Sequence, residues 1–221
     1  MMWTLWVTLS AVSLGADGAK LRAGMDIEAG WEEVGRENYA GIGEIVVRHK
    51  VVDGSDCLEG RTVTTASADV LLGVVSDVER HPEFSSWELP ESKRLGVVGS
   101  AFDYYQLLDN PSPVADRAWF VRSTLFRRGE DRVFTWDQID GAALYPEAVA
   151  GVKKRYPDVV FTALNVGDWT FTPQAGGTKV RYRICTDAGG SLPMWIGEIA
   201  ARKTLPTNVA DMIRAALQRG R

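Results

Sequence analysis

The last thirty residues place the strongest constraint on how this chain folds, because they predict one long amphipathic helix. Gly189 and Gly190 interrupt the preceding strand pattern, and Ser191 is of a residue type favoured at helix N-caps. A helix with a single apolar stripe must bury that stripe on a large apolar surface. Pro206 predicts a kink or break near Thr204 and Leu205. The stripe consists of Leu192, Trp195, Ile196, Ile199, Val209, Ile213, Ala216 and Leu217.

The rest of the chain supplies that surface as a series of strands joined mainly by short turns, which predicts an antiparallel sheet. Ser67 predicts the start of one helix over residues 65–80, and His81 and Pro82 predict its end. Trp31 to Glu37 is interpreted as a short helix or turn. The predicted strands cover residues 42–51, 57–64, 91–98, 102–108, 117–127, 133–139, 159–171 and 178–187.

The last predicted strand alternates between apolar and polar residues, which is typical of a strand with one buried and one solvated side. Val180, Tyr182 and Ile184 fall on the side that we expect to be buried, and Cys185 falls on the solvated side. The other cysteine, Cys57, also lies in a strand-like run. Because a disulfide requires Cα atoms within about 7 Å, we expect two unpaired thiols rather than a bridge.

Two segments carry alternatives that the sequence leaves open. Residues 141–158 are too long for a hairpin turn, so they predict either a lid over a site or a surface excursion. Residues 1–16 are uncharged and apolar and end in small residues, which is typical of a cleaved secretory signal peptide. An uncleaved anchor or a wrongly assigned start is the alternative. We therefore expect a single domain over residues 17–221 and a secreted or periplasmic protein.

Composition and motifs argue against several classes of function. A net charge of −4 is unlike the basic surface that nucleic-acid binding needs, so no nucleic-acid partner is expected. The two histidines and two cysteines lack the spacing of a metal site, and no motif of a nucleophilic or phosphate-binding site is present. The sequence therefore predicts a binding module without metal or cofactor rather than an enzyme. Eight tryptophans favour a binding pocket.

Five stretches, in order, resemble START domains, the steroidogenic-acute-regulatory-related lipid-transfer domains, in their bacterial form. The resemblance extends over residues 30–217, nearly the whole expected domain. The stretches are Gly30-Trp31-Glu32-Glu33-Val34; Asp77-Val78-Glu79-Arg80-His81-Pro82-Glu83-Phe84 ahead of Glu91-Ser92; Pro113-Val114-Ala115-Asp116-Arg117; Gly167-Asp168-Trp169 ahead of Thr172-Pro173; and Gly189-Gly190-Ser191-Leu192-Pro193-Met194-Trp195, with Pro206 following.

This resemblance implies an α+β helix-grip fold, in which a curved antiparallel sheet wraps around the long C-terminal helix and leaves a hydrophobic cavity. In some members of the family a buried arginine–acid pair meets the polar end of the lipid. By position Arg122 resembles that arginine, with Asp103 and Asp137 as candidate partners and Tyr105 nearby. Asp116 and Arg117 are expected instead to hold loops together at one end of the sheet.

Three functions remain open. The first is a monomeric, non-catalytic protein that binds a lipid for transfer or sensing and touches membranes transiently, with a pocket that includes Val180, Tyr182, Ile184, Trp195 and Ile199. The second is a helix-grip enzyme of the cyclase or hydrolase type, which needs a titratable pair inside the pocket, such as an inward-facing Asp103 or Asp137 beside Arg122 or Tyr105. The third is a domain with a filled core that binds a protein partner. Periodicity alone favours a filled core, and the resemblance favours the cavity.

Overall fold

A computed structural model describes residues 14–190 and 194–220, with side chains described for 18–190 and 203–220. Its helices are α1 (Leu14–Asp26), α2 (Ala68–Ser76), α3 (His81–Phe84), α4 (Gly141–Leu144), α5 (Pro146–Arg155) and α6 (Met194–Arg219), with a 3-10 turn at Val78–Arg80. Its strands are β1 (Glu32–Tyr39), β2 (Gly43–Val52), β3 (Ser55–Thr64), β4 (Glu91–Val98), β5 (Ala101–Leu108), β6 (Arg117–Arg128), β7 (Asp131–Gln138), β8 (Val160–Phe161), β9 (Leu164–Gln174) and β10 (Gly177–Asp187).

The strands form one curved, open sheet in the order β1-β2-β3-β10-β9-β7-β6-β5-β4. Neighbours on this path are antiparallel, and the two-residue strand β8 pairs in parallel with the start of β6. Most neighbouring strands are also close in sequence. The exception is the pair β3 and β10, because all of the elements from α2 to β9 lie between them in the chain. The predicted α+β fold with an antiparallel sheet and a long C-terminal helix is confirmed.

The two faces of the sheet carry different side chains and are covered by different helices. We call the face against α2 and α6 the inner face, and the opposite face, against α1 and α5, the outer face. Along β10, Val180 and Tyr182 belong to the inner face, whereas Arg183 and Cys185 belong to the outer face. Because side chains alternate along every strand, the register between strands fixes the face of each residue.

The described part of α6 lies on the inner face against β2, β3 and α2. Its buried residues include Leu205, Val209 and Ile213, and a Cβ atom at Gly60 would lie only 2.7 Å from Leu205 Cδ2. Of the predicted kink or break near Thr204–Leu205, the break is wrong, because α6 continues through Pro206, and the kink stays a prediction. Packing of buried side chains on both sides of the proline outweighs the missing backbone donor. Ser191 lies outside the described residues.

The outer face is covered in part by α1, and this overturns the prediction for the cysteines. Cys57 and Cys185 form a disulfide, since they stand directly opposite each other on β3 and β10 with Cα atoms 4.2 Å apart. Leu21 and Met25 of α1 pack beside the disulfide, and both cysteines are fully buried. The side of β10 that was expected to be solvated is therefore covered by a helix at this end.

The segment over residues 141–158 is helical rather than a loop, and it covers the outer face of β5 and β6. Val149 and Val152 of α5 pack on Phe120, Tyr105 and Leu107. Because α5 packs on the outer face, the segment does not form a lid over a pocket between the inner face and α6. Its helical character follows from proline in its first turn, apolar residues three positions apart and basic residues in its last turn.

Three other elements differ from the sequence-based predictions. Residues 32–39 form edge strand β1 instead of a short helix or turn. The helix capped by the Ser67 hydroxyl, which accepts from the Val70 amide, ends at Ser76, earlier than predicted. The predicted strand over residues 159–171 divides into β8 and β9. The remaining strands match their predictions closely.

The helices that the structure describes include none long and apolar enough to cross a membrane. Residues 1–13, which carry most of the predicted signal peptide, lie outside the described residues, and α1 begins at Leu14. The division into a signal peptide and a domain therefore stays a prediction.

We predict that the double substitution Cys57→Ala and Cys185→Ala lowers the free energy of unfolding by about 2–5 kcal/mol, because a cross-link restricts the unfolded chain. Urea unfolding followed by circular dichroism measures the difference. Wild-type protein unfolded in the presence of a reductant should lose a similar amount, and the double variant should not respond to the reductant. Equal stability of the oxidised wild type and the variant would contradict the prediction.

Candidate functional site

The inner face carries a continuous cluster of aromatic rings, which is the most distinctive feature of the sheet. Tyr182 and Trp169 stack with ring centroids 4.3 Å apart, and Trp136 lies 5.8 Å from Tyr182. Phe134 links Trp136 to Phe102 at 6.0 and 6.1 Å. We call this set the aromatic cluster: Phe102, Tyr104, Phe134, Trp136, Trp169, Phe171 and Tyr182.

Strand register builds the aromatic cluster from four strands, β5, β7, β9 and β10. Tyr182 on β10 stands opposite Trp169 on β9, which stands opposite Phe134 on β7. Each residue is largely buried, so its ring presents apolar area toward α2 and α6. Stacked and tilted rings of this kind form a rigid apolar wall at small cost in side-chain entropy.

A few polar atoms lie within this apolar wall. The Trp136 indole donates to Asn165 Oδ1 at 2.7 Å, and the Tyr182 hydroxyl meets the side chain of Asn208 on α6. Ser123 is fully buried, yet its Oγ has no well-aligned hydrogen-bond partner among the described residues. Burial holds the pKa of the neighbouring Tyr104 phenol far above its ordinary value, with Ser123 opposing the shift weakly. Ser123 and Tyr104 are therefore neutral groups that can meet a polar atom of a ligand.

The C-terminal half of α6 is fastened to the body by polar contacts. Buried Asp211 accepts hydrogen bonds from the Ser86 amide and hydroxyl at 2.6 and 2.8 Å. The Tyr39 hydroxyl lies 3.0 Å from Thr207 Oγ1, and Arg219 pairs with Asp77 at 2.8 Å. These contacts hold residues 207–219 against α2, the segment around Ser86 and β1.

The segment that leads into α6 is held by Arg117, as the sequence predicted. Arg117 donates to the Gly189 carbonyl oxygen at 3.2 Å and to the Ala115 carbonyl oxygen at 2.5 Å. Asp116 accepts from the Asn110 amide in the adjoining turn. Both residues join loops at one end of the sheet.

Three of the nine predicted site residues lie on the inner face. Val180 and Tyr182 are buried in its core, and Ile184 is partly exposed beside them. Trp195 and Ile199 belong to α6, but their side chains lie outside the described residues. The structure therefore brings the β10 residues together, and their contact with the start of α6 stays a prediction.

The predicted arginine–acid pair exists, but it lies on the outer face, away from α6. Arg122 donates to Asp103 through Nε at 2.7 Å and through Nη2 at 2.8 Å, which identifies Asp103 as its partner. Tyr145 also donates to Asp103 at 2.7 Å. The predicted placement of this pair in the cavity is wrong. Val121 is buried in the inner-face core, and side chains alternate along β6, so the next residue, Arg122, points to the outer face.

The two remaining predicted residues also belong to the outer face. Tyr105 stacks on Phe120 beneath α5 and donates to Glu91 at 2.6 Å. Asp137 pairs with Arg22 of α1 and lines a cleft beside that helix. Both acids proposed for an enzyme reaction thus lie across the sheet from the aromatic cluster.

Sequence reasoning missed Tyr104, Ser123 and Trp136, although a signal for them was present. Tyr104 lies two residues after Phe102 on β5, and Ser123 lies two residues after Val121 on β6, so both share the buried face. Trp136 on β7 stands opposite Ser123 and shares that face too. Assigning a face to every strand from its apolar residues would have favoured Tyr104 over its neighbours on either side.

Comparisons with known proteins identify the fold. No family model matches the sequence. The chain is 27% identical over 171 residues to an uncharacterized protein of Pseudomonas aeruginosa, covering 76% of this chain and 79% of that protein.

Three solved structures are similar to this chain over most of its length and most of theirs. Human STARD10 has a TM-score of 0.72 at 18% identity, covering 92% of this chain and 79% of that chain. Human StAR-related lipid transfer protein 5 has a TM-score of 0.73 at 12% identity, covering 94% and 96%. A STAR-related lipid transfer protein from Xanthomonas axonopodis has a TM-score of 0.68 at 20% identity, covering 85% and 98%. The chain therefore has the START helix-grip fold.

We predict that substitutions at two buried polar residues change stability by different amounts. Asp103→Ala should lower the free energy of unfolding by about 1–3 kcal/mol, less than a fully buried pair would lose, because Arg122 is 37% exposed and can reach water. Ser123→Ala should change it by less than about 1 kcal/mol, because no well-aligned hydrogen bond is lost. Urea unfolding measures both, and a larger loss for Ser123→Ala than for Asp103→Ala would refute this assignment.

We also predict that Glu91 contributes to stability in a pH-dependent way. Burial raises the pKa of Glu91, but hydrogen bonds from Arg155 and Tyr105 outweigh it and leave the pKa below its ordinary value. A lowered pKa in the folded state means that the contribution is present above about pH 4.5 and is lost as the pH falls further. Glu91→Gln should therefore be less stable than wild type at pH 7, and the difference should narrow toward about pH 3. A difference that is constant across this range in urea unfolding would contradict the prediction.

Proposed function

We propose that this START-fold chain binds one hydrophobic molecule, with a lipid as the favoured class, between the inner face and α6. The observation that carries the proposal is the aromatic cluster, a wall of seven rings beneath a crossing helix. Two of the similar solved structures are StAR-related lipid transfer proteins, which supports the same class of ligand. The ligand would be carried or sensed, and no reaction would be catalysed.

Binding would draw on apolar burial for affinity and on a few neutral groups for orientation. Each 100 Å² of apolar ligand surface removed from water contributes about 2.5 kcal/mol before the costs of binding. Ser123 and Tyr104 supply hydroxyl groups on the wall, and an unpartnered buried hydroxyl gains more from a ligand acceptor than an exposed one. These groups suit a hydroxyl or carbonyl at the polar end of the ligand.

Entry would require movement of the N-terminal half of α6. Its C-terminal half is fastened through Asp211 and Arg219, and Pro206 leaves one helical hydrogen bond unmade between the two halves. The first half can therefore tilt while the second stays in place. This opening would be the gating step, and transient contact of the monomer with a membrane would supply the ligand.

The disulfide supports a secreted or periplasmic location for this function. Disulfides persist mainly in oxidising compartments, and this one is buried beneath α1, where reductants have poor access. The location accords with the signal peptide predicted from residues 1–16.

The alternative, an enzyme acting on a hydrophobic substrate, gains no support from the acids named for it. Asp103 and Asp137 pair with arginines on the outer face and cannot reach a substrate held against the aromatic cluster. A catalytic role would have to rest on other groups, and the neutral hydroxyls of the inner face favour binding.

We predict that Ile184→Trp reduces bound lipid several-fold without unfolding the protein. Ile184 is partly exposed on the inner face, where a larger side chain would occupy the space that we assign to the ligand. Lipid extracted from protein purified from its native host is quantified by mass spectrometry, and circular dichroism checks the fold. Val97→Trp, at a residue that is 71% exposed, serves as the matched control and should keep the wild-type amount. Equal lipid in both variants would refute the assigned position.

A further inference from the structure

A second cleft lies on the outer face, where neither α1 nor α5 covers the sheet. Its volume is about 620 Å³, which is within the range of small-molecule sites. We call it the basic cleft because four basic side chains line it against two acidic ones. The basic residues are Arg61, Arg128, Lys179 and Arg181, and the acidic ones are Glu44 and Asp131.

Arg181 lies in this cleft, and no carboxylate within hydrogen-bonding distance of it is found among the described residues. Its only hydrogen bond among the described residues runs from Nη2 to Thr170 Oγ1 at 3.2 Å, and its Nε is buried without an acceptor. The nearest carboxylate, Asp168, is 3.7 Å away and already accepts from Arg183 at 2.8 Å. Only 26% of the Arg181 side chain is exposed, so its guanidinium has lost part of its contact with water. Its positive charge is only partly balanced by the protein.

Neighbouring charges increase this excess of positive charge. Arg61 stands directly opposite Arg181 on β3, and like charges in that position repel. Arg61 already pairs with the carboxylates of Glu59 and Glu28, so neither carboxylate pairs with Arg181. Burial, and then the charge of Arg183, hold the pKa of Arg181 below its ordinary value.

The two acids of the basic cleft are also occupied by other partners. Glu44 pairs with Arg36 at 2.7 Å. Asp131 accepts from Thr172 at 2.6 Å and lies 3.6 Å from Arg128. Lys179, two residues before Arg181 on the same side of β10, forms no ion pair within residues 18–190 and 203–220. Among the described residues, Lys179 thus has no anionic partner, and Arg181 has only Asp168, at 3.7 Å and shared with Arg183.

We propose that the basic cleft is an anion-binding site, in which Arg181 and Lys179 hold a phosphate or carboxylate group. Arginine presents parallel N–H donors that match such oxyanions, and lysine adds a second charge at close range. The group belongs either to a free small anion or to the headgroup of an anionic membrane lipid. The site is separated from the inner face by the thickness of the sheet, so it does not depend on the proposed lipid-binding function.

Two probes distinguish these sources. Inorganic phosphate is titrated into the protein by calorimetry, and vesicles of phosphatidylcholine with or without phosphatidylglycerol are tested by co-sedimentation. Binding of phosphate without binding of vesicles assigns the site to a free anion. Binding of phosphatidylglycerol vesicles without binding of phosphate assigns it to a headgroup, and either result supports the proposal. Absence of binding in both assays overturns it.

The variants test whether Arg181 makes the contact. Arg181→Gln should weaken anion binding at least tenfold, whereas Arg80→Gln, which removes an equal charge from an exposed pair elsewhere, should leave it within twofold. Lys179→Gln, at an exposed residue whose loss should not affect folding, should weaken binding at least threefold and provides a second test if Arg181→Gln does not fold. An equal loss in Arg80→Gln, or none in Arg181→Gln and Lys179→Gln, would show that only overall charge matters and would overturn the proposal.

Discussion

The pairing of β3 with β10 is the constraint on which the rest of the structure depends. It joins the first three strands to the rest of the sheet, and no short turn enforces it. Its register places Cys57 opposite Cys185 and Gly60 opposite Tyr182. The first pair becomes a disulfide on the outer face, and the second leaves room for α6 to approach the inner face closely. A shift of one residue would exchange the two faces of β10 and remove both features.

The two faces of the sheet differ in the chemistry of their side chains. The inner face collects stacked aromatic rings and neutral hydroxyls, which suit an apolar ligand. The outer face collects charged residues that must be paired, and the helices that cover it supply partners: Asp26 of α1 binds Arg183, and Arg155 of α5 binds Glu91. Where no helix covers the outer face, Arg181 has only the carboxylate of Asp168, 3.7 Å away and shared with Arg183, among the described residues. The anion that we propose for the basic cleft would compensate that charge more fully.

Local patterns in the sequence predicted most of the strands, the Ser67 cap and the C-terminal helix, because each depends on residues close together in the chain. Strand β1 was missed because an edge strand with few buried side chains lacks apolar alternation. The disulfide was missed because it depends on a pairing across 128 residues. In the site, alternation along β10 predicted Tyr182 correctly. Arg122 was misplaced because its position came from a resemblance, while the phase of β6 assigns it to the outer face.

The central claim is that the inner face and α6 enclose one hydrophobic ligand. Native mass spectrometry of the protein purified from its own host tests this claim directly, because it reports the mass and the number of molecules bound to each chain. We predict one lipid-sized molecule per chain, released when the protein is denatured. Detection of the unliganded mass alone, both as purified and after incubation with a total lipid extract, would contradict the account.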